Sequence, residues 1–171
     1  MCALTWNTLD LDAGTVRVEH SLEQTKAGLR IKSPKSRHGK RTISLPANVV
    51  DIMREHRRQL LELRLATGLG RLSDDDYVFP HLPGEPWRPD ALSAAFARLV
   101  RSRKLPTIRL HALRHSHASA LIAAGLDVIA VSRRLGHGSP TITLNVYGHL
   151  FASKDAAAAK AIDAAMRGAP K

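Results

Sequence analysis

The chain has 171 residues, 44% hydrophobic and only 4% aromatic, with 26 Lys+Arg against 15 Asp+Glu and a formal net charge of +11. That length and apolar content suit one compact domain with its own core and exclude wholesale disorder. The longest apolar runs, such as Leu121-Ile122-Ala123-Ala124, fall far short of the roughly 20 residues that a membrane span requires. The start, Met1-Cys2-Ala3-Leu4-Thr5-Trp6-Asn7, has neither the basic flank nor the apolar stretch of a secretory signal. The single cysteine, Cys2, cannot form an internal disulfide, so the expected compartment is a reducing cytoplasm.

The first third reads as strands. Thr15 to Leu22 alternates with period two after the turn signal Asp12-Ala13-Gly14, and Leu29-Arg30-Ile31-Lys32 and Thr42-Ile43-Ser44-Leu45 repeat the pattern in shorter form. Ser33 to Arg41 lies between them, rich in Lys and Arg and broken by Pro34 and Gly39, as a basic hairpin tip. The expectation is a three-stranded antiparallel sheet. After Pro46 the period becomes helical, with Val49, Met53, Leu60 and Leu61 on one side and Arg54, Arg57 and Arg58 on the other, until Gly68 and Gly70 end it. Ser73 to Pro89, dense in Asp, Pro and Gly, reads as a surface connector.

From there the chain reads as helices. Leu92, Phe96, Leu99 and Val100 form an apolar stripe, a second helix runs through His111 to Ala124, and Asp127 caps a short third with Val128, Val131 and Leu135 inward and Gly136 at its end. Ser139-Pro140 supplies a cap and first-turn proline for a helix carrying Ile142, Val146, Tyr147 and Leu150, with Val146 expected to face inward. The Ala-rich segment from 152 on is a tail helix. The fold class is therefore α+β, mainly helical, with residues 1–171 as a single domain and 152–171 as its C-terminal tail.

Charge is uneven along this order. Residues 1 to 90 carry 14 basic and 12 acidic side chains, whereas residues 91 to 171 carry 12 and 3, and none of the acidic ones falls between Ala91 and Leu126. A basic face alone serves solubility, but arginine richness points to phosphate, because the guanidinium fork pairs with phosphate oxygens.

Three polar features stand out on the helices. His111 and Arg114, three apart, share one helix face, with Leu113 expected to point away into the core; His137 follows a helix end; Tyr147 comes ten residues later. His111 and His115, four apart, also have the spacing of a metal-ligand pair, but no third ligand lies at a familiar offset, so no metal and no cofactor are expected, and His115 and His117 are read as packing or supporting residues.

Leu110-His111-Ala112-Leu113-Arg114-His115-Ser116-His117-Ala118, then Leu135-Gly136-His137-Gly138-Ser139-Pro140-Thr141-Ile142-Thr143, then Tyr147-Gly148-His149 strongly resemble the catalytic domain of tyrosine recombinases, the phage-integrase family. Leu4 to Leu11 resembles the segment leading into that family's small sheet, and Pro34-Lys35-Ser36 resembles its catalytic-lysine hairpin, so the likeness runs over roughly residues 3 to 150. The resemblance implies cleavage and rejoining of double-stranded DNA through a 3′-phosphotyrosyl intermediate. Tyr147 matches the nucleophile, Arg114 the binder of non-bridging oxygens, His111 an aid to proton transfer, His137 a donor to the scissile phosphate, and Lys35 the acid that protonates the departing 5′-oxygen.

Lys32, Arg37, Lys40 and Arg41 would contact the DNA backbone. A further arginine that the family carries upstream of the Leu4 segment has no counterpart here, since the first arginine is Arg17 in an expected strand. The chain is therefore expected to be a catalytic domain incomplete at its N-terminus, with a cleavage-deficient DNA-binding fragment as the alternative. The tail helix would dock on a second copy on DNA.

Overall fold

The computed structural model describes residues 2–33, 39–151 and 155–168. Near the N-terminus, β1 (Leu9–Asp10), β2 (Thr15–Val18) and β5 (Arg41–Ser44) form the three-stranded antiparallel sheet in the order β1-β2-β5, with Leu9 opposite Val16 and Val18 opposite Arg41. The turn between β1 and β2 is closed by Asp10, whose Oδ1 accepts from the backbone N–H of Asp12 and Ala13, and Gly14 supplies the left-handed residue at φ 61°.

The membership of the sheet differs from the expected one. Residues 15–22 do not run as one strand: after Val18 the chain changes partner, and β3 (Ser21–Thr25) folds back on β4 (Gly28–Lys32) as a separate hairpin. The two-residue connection Lys26-Ala27 makes this local pairing compact, with Gly28 at φ 123°. Leu29–Lys32 is thereby used up, and the third strand is Leu9–Asp10, too short to show any alternation.

Helix α1 (Ala47–Ala66) buries Val50 and Met53. Met53 joins Trp6 and Val78 in one core cluster, with Leu4, Leu9, Leu11, Val49, Leu60, Leu72 and Phe79 packed around it. The segment expected as a surface connector is in fact stitched to the N-terminus: Trp6 N–H donates to Asp76 O, Val78 N–H donates to Leu4 O, and Val78 is fully buried. It also carries a small hairpin, β6 (Pro80–Leu82) and β7 (Glu85–Pro86).

The remaining helices are α2 (Pro89–Ser102), α3 (Ala112–Ala123), α4 (Val128–Leu135), α5 (Pro140–Tyr147) and α6 (Asp155–Gly168), with a 3-10 turn at Gly148–Leu150. On α2 the apolar stripe is narrower than expected, with Val100 buried and Leu99 exposed. Asp127 caps α4 by accepting from the N–H groups of Ile129 and Ala130, and Gly136 ends it at φ 72°. Pro140 opens α5, whereas Ser139 occupies the cap position without a side-chain bond. The second core cluster joins α3, α4 and α5 through Ala118, Ile122, Val131, Leu135 and Tyr147. Among the described residues no helix is long and apolar enough to cross a membrane.

Candidate active site

The site lies where α3 and α5 meet the C-terminal end of α4. On α3, Arg114, Ala118 and Ile122 recur every four residues, so the stripe that carries Ala118 and Ile122 into the core carries Arg114 to its edge. The Arg114 guanidinium is half-buried and donates through Nη2 to the carbonyl of Leu135 in the last turn of α4. Leu113, expected in the core, is 44% exposed. One residue before Arg114 is about 100° around the helix, and the inward direction belongs to Arg114.

A similar reversal occurs on α5. Thr143 and Tyr147, four apart, face inward, while Val146, expected there, is 43% exposed. Tyr147 is 4% exposed, and its hydroxyl is 2.8 Å from Nδ1 of His115 on α3. With the imidazole proton on Nε2, the phenol O–H donates to Nδ1. His111 sits edge-on to His115, with ring centroids 5.4 Å apart. The i, i+4 spacing that suggested a metal pair thus brings His111 beside the histidine that holds the tyrosine. Among the described residues no three His, Cys, Asp or Glu side chains gather into a metal site.

His137 follows Gly136, and its Nδ1 is 2.8 Å from Oγ1 of the fully buried Thr143. The Thr143 hydroxyl donating to Nδ1 leaves the ring proton on Nε2. Burial, and then the charges of Arg114 and Arg41, hold the His137 pKa below the ordinary histidine value. His117 is lowered in the same direction by burial, then by Arg134 and Arg114, and its Nε2 accepts from Nε of Arg134. Such histidines bind fewer protons folded than unfolded, so stability falls as pH drops through about 6.5 toward the folded pKa values and is fully retained above. The midpoint of thermal unfolding should decline between pH 7.5 and 5.5, and His137→Gln should flatten that decline; an unchanged profile in the variant contradicts the assignment.

Arg41, expected as a contact to the DNA backbone, lies in this cluster. From β5 it donates through Nε to the carbonyl of Arg134 and through Nη1 to that of Gly39. Burial, then the neighbouring charge of Arg114, lower its pKa. The guanidinium rests against Gly136, where a Cβ would lie 2.5 Å from Nη1. Gly136→Ala should therefore cost about 1–2 kcal/mol for the left-handed backbone, and more for displacing Arg41, read as a lower urea midpoint.

The other expected contacts are dispersed. Lys32 pairs with Glu23 across the β3–β4 hairpin, and Lys40 is exposed. Lys35 and Arg37 lie outside the described residues. His115 was read only as a packing or supporting residue, and Arg134 was not singled out. The signal for His115 was its spacing from His111, but its contact with Tyr147, 32 residues away, is visible only in three dimensions.

Residues 1–154 match the phage integrase family. The chain belongs to that family. It is 32% identical over 163 residues to the ICEBs1 integrase of Bacillus subtilis (strain 168), covering 95% of this chain and 44% of that protein. It is 27% identical over 162 residues to a XerC-like tyrosine recombinase of Caldanaerobacter subterraneus subsp. tengcongensis, covering 88% and 41% respectively. Among solved structures, the Tn1549 transposon integrase in complex with circular intermediate DNA superposes with a TM-score of 0.72 at 28% identity, over 95% of this chain and 53% of that one. The same integrase with transposon right end DNA gives 0.70 at 26%, over 96% and 53%. This phage-integrase-family chain spans less than half the length of the curated relatives described.

Proposed function

We propose that the protein performs site-specific recombination by breaking and rejoining DNA strands, with Tyr147 as the nucleophile. The observation that carries this reading is the nearly buried Tyr147 hydroxyl held on Nδ1 of His115, one residue from Arg114. A phenol with an ordinary pKa near 10 is a weak nucleophile at neutral pH and needs a proton acceptor and a cationic setting. Both are supplied here.

In the cleavage step the Tyr147 oxygen bonds to the scissile phosphorus while its proton passes along the existing hydrogen bond to His115, with His111 beside it. The 5′-oxygen departs and takes a proton from Lys35, leaving a 3′-phosphotyrosyl enzyme. Arg114 and the Nε2–H of His137 neutralise the charge that builds on the non-bridging oxygens. Attack of a 5′-hydroxyl on the phosphotyrosine reverses each transfer and rejoins the strand. The bond energy is conserved in the protein–DNA linkage, so the exchange needs no nucleotide cofactor.

The partner is double-stranded DNA, with a second copy assembled on it through α6, whose Ile162 and Met166 are exposed. The test is a nicked duplex in which the short fragment bearing the new 5′-hydroxyl diffuses away after cleavage, so that the covalent intermediate is trapped. A covalent adduct mapped to the Tyr147 peptide supports the reading, whereas binding without any adduct leaves only the DNA-binding alternative.

A further inference from the structure

The arginines of this chain fall into two populations. Those at 17, 54, 57, 58, 64, 88 and 167 each have a carboxylate partner. Of the described arginines outside that set, Arg41, Arg133 and Arg134 converge with Lys40 on one open groove of about 610 Å³ between β5 and α4, with Arg133 also in the longer-range field of Asp127. Thr42, Ile43 and Ser44 complete its lining, and neither Asp nor Glu takes part.

Two of the four cations are fixed in place by neutral acceptors. Arg41 donates to the carbonyls of Arg134 and Gly39, and Arg134 donates through Nη2 to the carbonyl of Ser44 and through Nε to His117. Carbonyl and imidazole acceptors orient a guanidinium without cancelling its charge, unlike the carboxylates that pair with the seven arginines named first. Arg41 is also half-buried and in electrostatic contact with Arg114. Gathering like charges without a counter-ion is unfavourable by itself, and the arrangement becomes favourable when an anion enters. Arg133 and Lys40 are exposed and can close on such an anion from the two walls.

We infer that the β5–α4 groove is a second phosphate seat, holding a backbone phosphate of the bound DNA next to the one presented to Tyr147, with Arg41 shared between the seat and the cleavage pocket. This rests on the strand-cleavage reading for the identity of the ligand. The groove fixes where the strand runs, and through Arg41 it ties DNA position to the end of α4 that carries Leu135 O and His137.

The test is equilibrium binding of a short duplex across a salt series. Each neutralised phosphate contributes about 0.9 to the slope of log affinity against log salt, so Lys40→Gln combined with Arg133→Gln, which release the one phosphate of this seat, should lower the slope by up to about 0.9. Among the described residues neither side chain makes a side-chain hydrogen bond or a close ion pair, Arg133 feeling Asp127 only at longer range, and an unchanged urea midpoint checks that the variant is folded. Duplexes carrying one neutral methylphosphonate at a time then locate the seat: one position should weaken the unaltered protein about tenfold and the double variant, left with Arg41 and Arg134 alone, distinctly less. An unchanged slope, or the same methylphosphonate penalty in both proteins, overturns the inference. Because the readout is binding, it holds whether or not Tyr147 forms an adduct; an intact salt slope effect with no adduct would sink the strand-cleavage reading alone.

Discussion

Tyr147→Phe should abolish the covalent protein–DNA adduct on the nicked duplex while leaving the protein folded and able to bind DNA. The phenylalanine ring keeps the packing against Ala118, Ile122, Val131 and Leu135 that places residue 147 in the second core. What disappears is the hydroxyl and its bond to His115, a net loss of about 0.5–1.5 kcal/mol. The chain has two tyrosines, and the other, Tyr77, bridges Thr5 beside the first core. Tyr77→Phe is therefore the matched control and should leave adduct formation intact. Adduct that survives Tyr147→Phe places the nucleophile elsewhere.

The second large effect belongs to Arg114. Removing one positioned donor from a developing oxyanion commonly costs 10² to 10³ in rate, so Arg114→Ala should lower single-turnover cleavage at saturating DNA by about that factor. Affinity should fall much less, since many cations share the backbone. Arg114→Lys retains the charge but loses the planar fork that grips Leu135 O and, on the proposed reading, would hold the phosphate as well, and it should remain at least about tenfold slow. The unmet carbonyl at Leu135 adds a stability loss of about 1–3 kcal/mol to the alanine variant, visible in its urea midpoint. Equal losses in rate and affinity would reduce Arg114 to one more backbone contact.

Much of the helical half was legible because local chemistry marks its boundaries. Asp127 as a cap, Gly136 as a left-handed stop and Pro140 as a first-turn residue each act within a few residues of where they stand. The motif residues Arg114, His137 and Tyr147 stood out in the sequence as well; Arg114 bonds the last turn of α4, His137 bonds Thr143 on α5, and Tyr147 bonds His115 on α3. The inward faces of α3 and α5 were misread for one shared reason. Apolar periodicity assumes that a helix hides its oily residues, yet these two turn Arg114, Thr143 and Tyr147 inward and leave Leu113, Ile142 and Val146 exposed. Local rules fail most often where a functional site competes with the core.

The sheet was misassigned for a different reason. Leu9–Asp10 is too short to carry a pattern, and the partner of Leu29–Lys32 was decided by the two-residue turn at Lys26-Ala27, which carries none of the usual Asn-Gly or Asp-Gly signal. Arg41 belongs to the same class of omission. In the sequence it is one of several cations around a hairpin, and only the approach of β5 to Gly136 separates it from Lys40.

The division of the arginines into paired and unpaired populations also bears on how the protein meets its partner. Carboxylates are concentrated in the first 90 residues, while the rest of the chain carries only 3. On the proposed DNA-binding reading, this uneven charge would orient the molecule in the field of the polyanion before any contact is made. It turns its uncompensated face forward, so that collisions are orientationally biased. Salt should slow association far more than it speeds dissociation, a signature read directly by stopped flow.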